Sequence, residues 1–135
     1  MMPAVRFVED DGRMDPGSVV AALKDLAEAA GERGRSIAVL GPVAVASDDA
    51  IEVRDENDRI GRIIVRINIS KLIVVGHAGR HLAMAAGLEG SWDGESVLVE
   101  TPAEAYDLLR ADIHEGDVVL VKEPTVAALL TGVTA

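Results

Sequence analysis

No cysteine occurs among the 135 residues, which removes disulfides, thiolate nucleophiles and cysteine-type zinc sites together. Aromatic residues make up only 2% of the chain although hydrophobic residues reach 49%. A core must therefore be assembled from Val, Ile, Leu and Ala, the palette of parallel strands covered on both faces by helices. Positive charge is also scarce: 13 Lys and Arg stand against 23 Asp and Glu, for a formal net charge of −10. Such a surface repels phosphate backbones, which argues against a nucleic-acid partner and, unless a local basic pocket overrides it, against a large polyanion. No apolar run approaches the roughly 20 residues that cross a bilayer, and "MMPAVRFVEDDG" lacks the basic and long apolar regions of a signal peptide. The expectation is a cytoplasmic, soluble chain with no membrane partner, folded as one domain over residues 1–135.

Several catalytic signatures are missing too. There is no GxxxxGK[ST] phosphate loop, no GxGxxG dinucleotide fingerprint and no GxSxG nucleophile elbow. The chain carries no self-contained machinery for nucleotide hydrolysis, hydride transfer or acyl transfer.

What is present is an alternation of strand and helix patterns. Ala4 to Val8 reads as a short strand and "EDDG" as a turn. Asp15-Pro16 starts a helix, with a capping carboxylate followed by Pro at the first helical position. Val19, Val20, Leu23, Leu26, Ala27 and Ala30 share one face, and Gly31 ends the helix. "RSIAVLG" is a buried strand. Val43 to Asn57, with its acidic residues Asp48, Asp49, Glu52, Asp55 and Glu56, is the least regular stretch. "DRIGRIIVRINIS" fits either period, and the strand at Leu72 to Val75 decides for a helix, because parallel strands need a crossover. A short helix stopped by Gly87 follows. "SVLVE" is a strand, a helix is capped by Thr101-Pro102, "GDVVLV" is a strand, and "PTVAALLTGV" is a last helix. The fold class is α/β, a Rossmann-like three-layer arrangement with a mainly parallel sheet.

Ligands in such sheets collect at the carboxyl ends of the strands, so three loops qualify: "GPVAVAS", "GHAGRH" and "KEPT". In the second, Gly76 lets backbone approach a ligand, His77 can exchange a proton near neutral pH, and Arg80 can pair with a carboxylate or phosphate. The plainer reading is a strand–Gly–helix turn with solvated histidines, common in any α/β domain. His77 and His81 stand four apart but lack a third ligand, so no metal site is expected. The run "DDAIEVRDEND" lacks calcium-loop spacing: counting from Asp55, the fifth position is Arg59, where an oxygen ligand belongs. A solvated acidic loop is expected there instead. Lys122 either reaches an anionic ligand or snorkels into water.

The segments "GRSIAVLG", "DRIGRIIVRINISKLIVVG" and "LLRADIHEGDVVLVK", in that order, resemble the C-terminal domain of Mur ligases from about Asp11 onward. The resemblance implies a Rossmann-like domain that closes over a central ATP-binding domain in amide-forming enzymes of peptidoglycan precursor synthesis. ATP or ADP with magnesium, and an incoming amino acid or dipeptide, are the implied ligands. The family's NANPxSM pattern stands here as "RMDPGSV": Pro16 and Ser18 are kept, while Arg13 and Asp15 replace the two asparagines. Its GDMxELG loop stands as "GPVAVAS", with Gly41 and Ala44 kept and Pro42 and Val45 at the acidic positions. Asn57 stands where a His precedes the "DRIG" segment. The terminal VKGSR reads "VKEPT", which keeps Lys122.

The residues carried over as ligand-binding candidates are Asp15, Ser18, Gly41, Asn57, Gly76, His77, Arg80 and Lys122, with none assigned a catalytic role. One reading is a module without catalysis of its own, acting through a protein partner in cell-wall synthesis or through self-association. The alternative is the ligand-binding half of an ATP-dependent, D-alanyl-D-alanine-adding ligase completed by other domains or a separate partner. An excised ligase fragment ranks last, since "MMPAV" reads as a native start. The mixed outer helix faces mark no interface, so the oligomeric state stays open.

Overall fold

Five strands form one sheet in the order β1-β5-β2-β3-β4, every neighbouring pair parallel. The computed structural model describes residues 5–88 and 92–134. The elements are β1 (Arg6–Phe7), α1 (Pro16–Ala30), β2 (Ser36–Leu40), α2 (Ala50–Arg66), β3 (Lys71–Val75), a 3-10 turn (His77–Gly79), α3 (Arg80–Gly87), β4 (Glu95–Val99), α4 (Pro102–Asp112), β5 (Val118–Lys122) and α5 (Pro124–Thr134).

The two-residue period of the strands sorts the core into two layers. Ala38, Leu40, Leu72, Val74, Val118 and Leu120 face α1, α2 and α3 through Leu23, Leu26, Ile60, Ile64 and Leu82. Ile37, Val39, Ile73, Val75 and Val119 face α4 and α5 through Ala105, Leu109, Val126 and Leu130. Strands β2 and β3 are buried along their whole length. This is the Rossmann-like three-layer arrangement expected from the apolar palette. No helix among the described residues is long and apolar enough to cross a membrane.

The helix starts follow the sequence closely. The Asp15 carboxylate accepts from the Ser18 amide at 3.1 Å, and the Thr101 hydroxyl accepts from the Glu104 amide at 3.2 Å. Two boundaries differ from expectation. The first strand covers only Arg6–Phe7, Ala4 lying outside the described residues. The acidic run is not an irregular loop: α2 begins at Ala50, where the Asp49 carboxylate accepts from the Ile51 amide at 2.9 Å. Its inward stripe of Asn57, Ile60, Gly61 and Ile64 continues back to the half-buried Val53 at helical spacing. The acidic residues between them occupy the solvated side, so density of charge hid a regular helix.

Gly61 sets how closely α2 approaches α3. A Cβ there would stand 2.7 Å from Ala85 Cβ, 3.0 Å from the Ala86 nitrogen and 3.2 Å from the Leu82 carbonyl oxygen. Two of those three neighbours are backbone and cannot rotate away. Helix propensity alone favours Ala over Gly by about 1 kcal/mol, whereas overpacking costs about 1–3 kcal/mol. Gly61→Ala is therefore expected to lower stability in urea unfolding. A gain in stability would show that the two helices can part without cost.

Candidate functional site

The chain leaves β2 towards β3 on one side, while β5 lies on the other. In open α/β sheets ligands bind at such a reversal, outside the carboxyl ends of the strands. Here the ends of β2 and β5 are tied to each other. The Gly41 amide donates to the Lys122 carbonyl at 3.1 Å, and a Cβ on Gly41 would lie 3.4 Å from Glu123 Cγ. Glu123 in turn accepts from the Val126 amide at 2.7 Å, capping α5.

Lys122 is buried, not snorkelling: its side chain has 0% exposure. Its ammonium donates to the Asp10 carboxylate, and Asp11 stands 3.8 Å away. Asp10 was legible only as part of a turn. The signal available was an acidic pair after β1 together with a strand-end lysine, but β1 and β5 become neighbours only through the sheet order.

The other candidates divide between internal contacts and surface. The Ser18 hydroxyl donates to the Asp15 carboxylate at 2.7 Å. Hydrogen bonds from the Ser18 hydroxyl and then its amide hold the Asp15 carboxyl below its ordinary value. The shallow groove beside Ser18 is walled by Glu9, Asp10, Asp11 and Asp25, a field that opposes an anion. Asn57 is buried at 3% exposure. Its amide donates to the Val53 carbonyl at 2.8 Å, and its Oδ1 meets no partner among the described residues.

The loop after β3 keeps an open geometry. Gly76 takes φ 95°, which favours glycine, and its amide donates to the Val99 carbonyl at 2.8 Å. His77 is exposed in the 3-10 turn, and half-buried Arg80 donates back to the His77 carbonyl at 3.1 Å. No cluster of three metal-ligating side chains exists among the described residues. The structure thus ties Gly41 and Lys122 together at the switch point, joins Asp15 to Ser18 and Arg80 to the His77 carbonyl, and leaves Asn57 and Gly76 in separate contacts.

A charged network at the opposite, amino-terminal end of the sheet escaped sequence reasoning entirely. The Arg35 guanidinium donates to Asp117 Oδ2 at 2.7 Å, to Asp112 Oδ2 at 3.3 Å and to the Asp112 carbonyl at 2.6 Å. Lys71 bonds Asp112 and Glu95, both at 2.9 Å. Burial alone would raise the Asp112 and Asp117 carboxyls. Lys71 and Arg35 outweigh it at Asp112, and Arg35 with the His114 amide outweighs it at Asp117, so both lie below the ordinary value. The Asp117 carboxylate raises Arg35. Desolvation opposes the charge on Lys71, but Asp112 and Glu95 raise it on balance.

A parallel α/β sheet of this order, with helices on both faces and its carboxyl-end loops gathered at one switch point, defines a Rossmann-like domain. The chain belongs to the Mur ligase family, matching its "Mur ligase, glutamate ligase domain" over residues 3–122. It is 42% identical over 131 aligned positions to the UDP-N-acetylmuramoyl-tripeptide–D-alanyl-D-alanine ligase of Mycobacterium leprae (strain TN), covering 87% of this chain and 25% of that protein. The Mycobacterium tuberculosis (strain ATCC 25618 / H37Rv) protein of the same name is 40% identical over 141 aligned positions, covering 93% of this chain and 27% of that protein. The chain thus spans about a quarter of the length of these relatives. No solved structure matches it.

Proposed function

We propose that this chain is a binding module of peptidoglycan precursor synthesis that has no catalysis of its own and works in the cytoplasm through protein contacts. The carrying observation is the capture of Lys122 by Asp10 at the switch point. A cation at the end of β5 is the group best placed to meet a phosphate or carboxylate, and here its charge is already neutralised inside the fold. The acidic groove beside Ser18 and the inward-facing Asn57 support the same reading. These residues do not fit the phosphates of ATP or ADP, so no reaction step is assigned through a nucleotide or its magnesium.

Calorimetric titration with ADP, with Mg-ATP and with D-alanyl-D-alanine, separately and together, tests this. No heat is expected from folded protein. Micromolar binding of any of them, about −8 kcal/mol, overturns the reading and favours the ligand-binding half of a ligase. The loop from exposed His77 to half-buried Arg80 is where such binding would first be mapped, through Arg80→Ala.

A further inference from the structure

Met84 on α3 and Leu88 at its end are 57% and 79% exposed. The Leu88 amide donates to the Met84 carbonyl at 3.0 Å, so the two side chains stand one turn apart on the same face. With His81 and Ala85 they form one wall of a groove of about 460 Å³, whose other wall is the α2 stripe Arg54, Asp58 and Arg62. The close approach at Gly61 brings the two walls together. Arg54 and Arg62 are exposed and Asp58 is half-buried. Four-residue spacing suits ion pairs within a helix, yet none of the three makes a hydrogen bond or ion pair among the described residues.

We propose that this groove receives an acidic amphipathic segment of a partner protein, in which two carboxylates flank an apolar face. Charge complementarity selects that occupant. The chain carries −10 overall, whereas the groove sets two arginines against one aspartate, and His81 can add positive charge but never negative. The acidic side chains Glu52, Asp55 and Glu56 of the same helix border a different hollow, shared with the loop after β2. Arg59 is already paired with Glu56. The α2–α3 groove is therefore a net positive, partly apolar surface on a strongly negative molecule, and an acidic partner is drawn to it while the rest of the surface repels it.

The order of the charges narrows the partner further. Arg54 and Arg62 lie about 12 Å apart along the helix axis, with Asp58 between them. A uniformly anionic surface, such as an acidic bilayer or a nucleic acid, meets Asp58 with repulsion. A second copy brings the same net positive lining against itself. A helical segment with carboxylates two turns apart answers both arginines, and apolar residues between them cover Met84 and Leu88 without placing a charge over Asp58. This is the helix-in-groove mode of recognition. The contact is small, so the expected Kd is about 10–100 µM. The inference deepens the binding-module reading and rests on it only in naming protein contact as the chain's business.

Fluorescence anisotropy with a labelled synthetic peptide tests it. The probe is an Ala- and Gln-rich helix with two Glu residues seven positions apart and Leu at the third and fourth positions after the first, which puts all four on one face. The wild-type chain should bind it, and more weakly as salt is raised, because exposed charges are screened. Arg54→Glu with Arg62→Glu should weaken binding by about 10-fold or more, and Met84→Ser with Leu88→Ser by a similar factor. The Arg54→Glu, Arg62→Glu variant should instead bind the same peptide with Lys in place of Glu. All four positions are exposed, and an unchanged circular dichroism spectrum confirms that each variant is folded.

No binding to the wild-type chain at about 1 mM protein overturns the proposal. So does binding that is indifferent to these substitutions, or equal for the Glu and Lys peptides. Two other occupants have their own signatures. In place of peptide binding, sedimentation with phosphatidylcholine–phosphatidylserine vesicles, lost on Met84→Ser with Leu88→Ser, would assign the face to a membrane. An apparent mass rising above 14.2 kDa with concentration, and lost in the same variant, would assign it to a second copy. The ligand titration above is read separately: peptide binding by a chain that also binds nucleotide defeats the module reading without defeating this groove, and a silent titration with no peptide binding does the reverse.

Discussion

Asp10→Ala is expected to destabilise the chain by about 3–5 kcal/mol, the usual cost of leaving one partner of a buried ion pair unmatched. The Lys122 side chain is wholly enclosed and the Asp10 side chain only 11% exposed, so removing the carboxylate strands an ammonium away from water. Asp11, at 3.8 Å and 62% exposed, is too wet and too distant to replace it. The pair is not thereby a large net source of stability, because desolvating both charges costs as much as their attraction returns. A double-mutant cycle separates these terms. Asp10→Ala with Lys122→Met replaces the ammonium with an apolar chain of similar shape and should recover most of the loss in urea unfolding. A single Asp10→Ala that costs under about 1 kcal/mol would mean that Lys122 reaches water. The proposed loss of its ligand role would then fall with it.

The second large effect belongs to the network below the sheet. Arg35→Ala removes the donors that satisfy Asp117, whose side chain is 5% exposed, and Asp112, at 29%. Because Arg35 itself is 33% exposed, the expected cost is smaller than for an enclosed pair, about 2–3 kcal/mol. The pH dependence follows from the sign of the shifts. Asp112 and Asp117 both titrate below 3.8 in the folded chain. Their contribution is complete at neutral pH, declines as the pH falls below 3.8, and is gone once the folded values have been passed. Lys71 and Arg35 both move upward from their ordinary values, so their contribution is complete at neutral pH and is lost only as strongly alkaline pH rises through the folded values. Asp117→Asn should flatten the acid limb of stability against pH. An unchanged acid limb would show that Asp117 bears no part of it.

The two interactions share a lesson about what could be read in advance. The caps at Asp15 and Thr101 were legible because capping is local, with donor and acceptor three residues apart. The crossover helix at Ile60 to Ile64 was legible from its stripe, and the parallel sheet from strands apolar on both faces. The start of α2 was missed because Glu52, Asp55, Glu56 and Asp58 fill its solvated side, and a run of acidic residues looks irregular until Val53 and Asn57 are seen one turn apart. Asn57 was a candidate for the ligand face by resemblance. Its place on the inward stripe of α2 turns it to the interior.

The sequence by itself determined the elements, their order, the family to which the chain belongs and the lack of a phosphate loop, since all of these reside in patterns a few residues long or in linear order. Only the tertiary structure decided which charges meet. Asp10 and Lys122 are 112 residues apart, and Arg35 lies 77 and 82 from its two partners. Those pairings exist because β5 inserts between β1 and β2. Strand order is set by how the apolar faces of the whole chain pack at once, a global balance that no local pattern encodes.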